Sequence, residues 1–276
     1  MTLLPLREWQ RRAASHEREV SALLADVIHR RERGQKHPVD DFLWHYYNLR
    51  PGQLRQWHPG IGVELADGEA HGRPAFDASA FLAKRASTVK TAHGLLSAAQ
   101  AAAPRFGCFG MHEWAMVYQL DDGETRHPYL PLRFSRAETA RIVEEVGCKC
   151  SHYDAFRFFT PAARPLNLLQ PSRESQAELD QPGCLHVNMD LYKWAGKLHP
   201  ATSSELLLET FLLARDIREV DMRASAYDLS EWGYEPVKVE TPEGRAQYAS
   251  LQRAFAERAA PIRRRLLAVV EQLLAS

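Results

Sequence analysis

The chain has 276 residues, enough to bury a sizeable core in one large domain or two small ones. Hydrophobic residues make up 45% and charged residues 25%, a globular balance that excludes a disordered or fibrous chain. The 35 basic residues are offset by 35 acidic ones, so a nucleic-acid binder driven by overall charge is excluded too; a basic surface would have to come from local clustering.

Val20, Leu23, Leu24, Val27 and Ile28 recur at helical spacing and predict a first helix that ends at Gly34. Pro38, Asp40 and Asp41 open a second, which carries Phe42, Tyr46 and Leu49 on one face and stops before Pro51. Residues 51–77 read as a loop with a short strand at Ile61–Leu65. An Ala-rich helix follows from Ser79 to about Ala103, and Asp121-Asp122-Gly123 is a turn signal. Ser135 and Glu138 form a capping box for a helix closed by Gly147. Residues 152–159 alternate as a strand.

Beyond Pro182-Gly183 a helix is bounded by Gly196 and Pro200, and Ser203 with Glu205 starts another that runs to about Met222. Thr241-Pro242-Glu243 starts the last, with Tyr248, Leu251, Phe255, Ile262, Leu266 and Val269 as its apolar stripe and a break or kink at Pro261. The expected fold is mainly α (α+β), a single compact helical domain over residues 1–276 with a small β-sheet that includes 152–159. No apolar run approaches the ~18 residues of a membrane span, and Met1–Leu6 leads straight into charge. The expectation is a cytoplasmic protein with no membrane partner, whose cysteines (Cys108, Cys148, Cys150, Cys184) are reduced thiols or ligands.

The chemistry concentrates between Cys108 and Asp228. Three cysteines precede a histidine closely: Cys108 and His112, Cys150 and His152, Cys184 and His186. Each histidine is followed by a carboxylate, Glu113, Asp154 or Asp190. Thiolates and imidazoles ligate zinc or iron, yet no CxxC or HExxH spacing occurs, and buried thiols beside a polar cleft are the favoured reading over a metal site. No cofactor or metal ligand is assigned on that basis. Glu113 beside Trp114 and Tyr118 reads either as a carboxyl tuned by burial or as a core group paired with an arginine. Asp154 and Phe156 share a face with His152 if the segment is a strand; an Asp–Arg pair at a sheet edge is the plainer alternative. His186, Asn188, Asp190, Tyr192, Lys193 and Trp194 read as the lip of a site or as a solvated helix. The charged run from Asp216 to Arg223, with Asp221 near its end, is a surface of ion pairs or a loop approaching a substrate.

Several segments resemble a group of actinobacterial proteins labelled 3-methyladenine DNA glycosylase. They are Lys36 to Pro51, Phe106-Gly-Cys-Phe-Gly-Met-His-Glu-Trp-Ala-Met-Val-Tyr118, His152 to Asn167, Gly183 to Ala195 and Asp221 to Asp228. The resemblance covers nearly the whole chain, and it implies a hydrolase that removes alkylated purines from DNA. Residues are assigned to that reaction here by their chemistry. Glu113, Asp154, His112 and His152 are the catalytic candidates. Trp114, Tyr118, Phe156, His186, Asn188, Tyr192, Trp194 and Asp221 are the substrate-binding candidates. Lys84, Arg85, Lys90, Arg157, Arg164 and Lys193 are the DNA-binding candidates, since residues 78–112 and 155–173 contain no acid. A metal-dependent enzyme using Cys, His and carboxylate ligands is the first alternative, and a non-catalytic nucleic-acid-binding protein the second.

Overall fold

Apolar residues at helical spacing become helix nearly everywhere the sequence carries them. The computed structural model describes residues 1–47, 49–121 and 124–276. Among these are eleven α-helices and a single two-stranded sheet, so the fold is mainly α. No helix among the described residues is long and apolar enough to cross a membrane. The chain divides into two compact units, one of residues 1–97, 190–215 and 261–276, the other of residues 98–189 and 216–260.

In the first unit, α1 (Leu6–Glu32) buries Val20, Leu24 and Val27, three members of its predicted stripe. Helix α2 (Asp40–Tyr46) begins with Asp40 and Asp41, as expected of acids at a positive helix end. Pro51 starts a short helix of its own, α3 (Pro51–Arg55), where its fixed φ and missing N–H cost nothing. Strand β1 (Thr2–Leu4) pairs in parallel with β2 (Val63–Leu65), which is the strand foreseen at Ile61–Leu65. Helix α4 (Ala78–Ala101) matches the Ala-rich prediction. Tyr192 lies between the rings of Tyr47 and Phe211, each 5.4 Å away.

The second unit carries α5 (Met111–Ala115), α6 (Arg136–Val146), α7 (Tyr153–Phe156) and α8 (Gln176–Leu179). Ser135 caps α6 by accepting from the Glu138 N–H, and Gly147 follows its last residue. Residues 122 and 123 of the expected turn lie outside the described residues. The expected strand at 152–159 is corrected: its core is the one-turn helix α7, in which the Phe156 N–H reaches the His152 carbonyl at 3.0 Å. A strand would send neighbours to opposite faces, whereas adjacent Ala155 and Phe156 are both buried. The small sheet therefore lies elsewhere, at β1 and β2.

Three longer helices follow: α9 (Leu185–Leu198), α10 (Ser204–Arg223) and α11 (Pro242–Leu274). Gly196 sits inside α9 rather than ending it; a Cβ there would meet Leu49 Cδ1 at 2.1 Å, so the glycine serves close packing. Helix α11 runs through Pro261, and burial of Ile262, Leu266 and Val270 carries it past the lost donor.

The first unit also holds two half-buried histidines. His58 is pushed down to about 4 by burial and the Arg73 cation, and His199 to about 4 by burial and by His58 and His16. Their rings lie 6.0 Å apart. In the unfolded chain both bind protons near the ordinary histidine value of about 6.5, so between these limits the unfolded state holds more protons. Stability should therefore fall as pH drops from about 6.5 to about 4. Urea midpoints across this window should decline less steeply for His199→Gln than for the parent; equal slopes would remove His199 from the acid response.

Candidate metal centre

Phe109 and Gly110 both have left-handed backbone, at φ 48° and 71°. Such a conformation is unusual for phenylalanine and concentrates at functional sites. It turns the chain into α5, whose second residue is His112. A Cβ on Gly110 would lie 3.2 Å from a Tyr248 ring carbon and 3.3 Å from the Ala224 methyl, so glycine lets that ring lie directly on the turn.

Arg218 and Asp221 stand three residues apart on α10 and share a face. The wholly buried Arg218 donates from Nη1 to Glu113 Oε1 at 2.7 Å and to Asp221 Oδ2 at 2.8 Å. Burial alone would lower the arginine pKa, but the two carboxylates override it and hold it above the ordinary value. Asp221 is held far below the usual carboxylate range: burial opposes its charge, and His112, His186 and Arg218 outweigh that cost.

His112 Nε2 lies 2.8 Å from Asp221 Oδ1, a buried ion pair that supports the charge of both groups. His186, in the first turn of α9, places Nε2 3.9 Å from Asp221 Oδ2. His112, His186 and Asp221 form the one group of potential metal ligands found among the described residues, with ligand atoms within 4.8 Å of one another. The His186 ring is edge-on to His112 at 4.4 Å and stacked on His152 at 5.3 Å. Burial and the His112 cation push the His186 pKa well below its ordinary value; burial opposes charge on His112 too, but Asp221 raises it. Two buried imidazoles and a carboxylate are a donor set for zinc(II) or iron(II).

Cys108, Cys150 and Cys184 line a cavity of about 190 Å³ together with His112, His186 and Tyr248. Its rim includes the exposed Arg105, Lys149 and Leu168. Burial raises the pKa of all three lining thiols, and Cys148 is pushed up to about 12, so burial favours the neutral thiol. Asn167 fixes the cysteine strip: its Oδ1 accepts from the Cys150 N–H at 2.8 Å and its Nδ2 donates to the Cys150 carbonyl at 2.9 Å. A larger cavity of about 710 Å³ lies in the first unit among Trp57, His58, Phe76 and His199. No cluster of ligating atoms is found there among the described residues, so chemistry singles out the smaller one.

Of the expected catalytic residues, His112, Glu113 and His152 come together here. Asp154 instead pairs with Arg157 at 3.2 Å, the plainer alternative noted in the sequence. Among the expected substrate contacts, His186 and Asp221 belong to the centre. Trp114 is fully buried and donates to the Ala224 carbonyl, Tyr118 bonds Glu144, Phe156 packs on Phe159 and Asn188 donates to the Pro182 carbonyl. Tyr192 and Trp194 lie in the first unit, where Lys193 and Lys197 each sit 5.3 Å from the Trp194 ring. The expected DNA contacts divide likewise: Lys84, Arg85, Lys90 and Lys193 belong to the first unit, Arg157 and Arg164 to the second. Sequence reasoning missed Arg218, Asn167, Tyr248 and Gln252. Arg218 was legible only as part of a charged run and Tyr248 only as one position of an apolar stripe.

Comparison with protein-family models, curated proteins and solved structures finds no match for the chain.

Removing the guanidinium would leave Glu113 and Asp221 buried without their cation. Arg218→Met should destabilise the protein by about 3–5 kcal/mol, the usual cost of breaking a buried pair. Arg141→Met, which removes only the exposed pairs with Glu138 and Glu145, should cost less than about 1 kcal/mol. Urea unfolding of both variants checks the contrast.

Proposed function

We propose that this protein is a metal-dependent enzyme whose divalent transition metal is held by His112, His186 and Asp221. The observation that carries the reading is the convergence of three buried ligating groups, whose ligand atoms lie within 4.8 Å of one another. A metal ion bound by these groups takes the place of the proton that His112 shares with Asp221, since a ligating imidazole is neutral. Arg218 supports the ligand set from behind, fixing Asp221 through its second oxygen, as outer partners of metal ligands do. Bound there, the metal supplies a Lewis acid that polarises a coordinated oxygen. The cavity beside it, about 190 Å³, is below the roughly 300–1,000 Å³ of drug-sized ligand pockets and suits a small substrate.

The glycosylase reading asks for an aromatic cradle around a flipped base. The rings named for it, Trp114, Tyr118, Phe156, Tyr192 and Trp194, are all buried and each already has protein contacts, and that reading keeps the family resemblance as its support.

Equilibrium dialysis of metal-free protein against zinc(II), and against iron(II) under anaerobic conditions, should load one ion per chain. His186→Gln and His112→Gln should weaken uptake by more than roughly 100-fold, the most that loss of an outer partner brings. Metal at about 100 times its dissociation constant should stabilise the parent by about 2.7 kcal/mol. Absence of specific uptake by the parent would sink the proposal. Base release from methylated duplex DNA that persists in excess chelator would favour the glycosylase instead.

A further inference from the structure

Tyr248 is a polar group in this cavity that neither the metal centre nor the packing accounts for. It stands on α11, is fully buried, and lines the cavity beside His112, His186 and Cys108. Its ring is held against the left-handed turn at Gly110, 3.2 Å from where a Cβ would be, so its hydroxyl is fixed in place. That hydroxyl has no hydrogen-bond partner although it is shut away from solvent. An apolar phenylalanine would fill the same space without leaving a donor unmade.

The other walls do not need a ligand in the same way. The Gln181 carbonyl oxygen already accepts from the Arg105 and Gly183 N–H groups at 2.7 Å each. Cys108 accepts from Gln252 Nε2 at 3.1 Å, and the Cys150 thiol donates weakly to the His152 carbonyl at 3.6 Å. The unpaired phenol of Tyr248 therefore shares the cavity wall with the two imidazoles of the candidate centre, His112 and His186. Arg105 and Lys149 put positive charge at the rim.

We infer that Tyr248 is a substrate-binding residue that donates its hydroxyl hydrogen bond to a small oxygen anion, of the carboxylate class, bound in this cavity against the metal centre. The inference rests on the metal-dependent reading above. A phenol needs an oxygen acceptor, a metal needs an anionic or lone-pair donor, and a carboxylate offers two oxygens, one for each. The cationic rim attracts such an anion and the cavity limits it to a few heavy atoms.

The test uses the full chain and its Tyr248→Phe variant, both loaded with cobalt(II), whose visible absorption reports a change of ligand. Acetate is the probe. Both proteins should take up cobalt equally, because the substituted hydroxyl is not a ligand. Acetate should perturb the spectrum of the parent and bind the variant roughly ten- to hundredfold more weakly, the loss expected for one hydrogen bond to a charged group. Without acetate the variant should melt no lower than the parent, since it loses an unpaired buried hydroxyl. Equal acetate affinities, or no response of the loaded parent to acetate, would overturn the role of Tyr248 while leaving the metal reading standing. A variant that melts lower without acetate would assign the hydroxyl to structure and overturn the role as well. Failure of the parent to load cobalt would remove the metal reading and this inference with it.

Discussion

A buried guanidinium governs this centre. Arg218 sits where water cannot solvate it, and an isolated charge there would be prohibitively costly. Glu113 and Asp221 make it tolerable, and each needs Arg218 for the same reason. The consequence is geometric. With Oδ2 held by Arg218, Asp221 has its orientation fixed and Oδ1 is turned toward His112. Glu113, the neighbour of His112 in sequence, ties α5 to α10 through the same cation. Removing one charge changes the energy of the others, so these groups act as a unit.

The thiols show how one residue type can look catalytic in sequence and serve as wall in space. A cysteine becomes a nucleophile or a ligand when a nearby cation lowers its pKa. Here burial dominates for Cys108, Cys150 and Cys184, and nearby negative groups raise them further. Small and soft, they line the cavity. The group of potential ligands brought together is instead two imidazoles and one carboxylate, His112, His186 and Asp221.

Legibility differed with the range of the interaction. The helices from Ala78, Arg136 and Pro242 were readable because caps, prolines and apolar stripes act within a few residues. The segment at 152–159 was misread as a strand: its alternation is short, and with nothing to pair with, a single helical turn satisfies the Phe156 N–H locally. Gly196 looked like a helix end because the sequence cannot show that Leu49 packs against it. His112, Glu113, His152, His186 and Asp221 were singled out by residue type alone. Their roles were not, since Arg218 lies 105 residues from Glu113 and looked like one charge in a solvated run.

By itself, then, the sequence determined a helical chain with its reactive residue types gathered between Cys108 and Asp228, because composition and periodicity are local properties. Tertiary structure decided which of those residues meet. It put His112, His186 and Asp221 within reach of one ion, buried the guanidinium that orients them, and set the Tyr248 hydroxyl in the same cavity. Each of these depends on burial and on the approach of segments distant in sequence. Burial is also what turns ordinary ionisable side chains into groups with shifted pKa values and directed contacts.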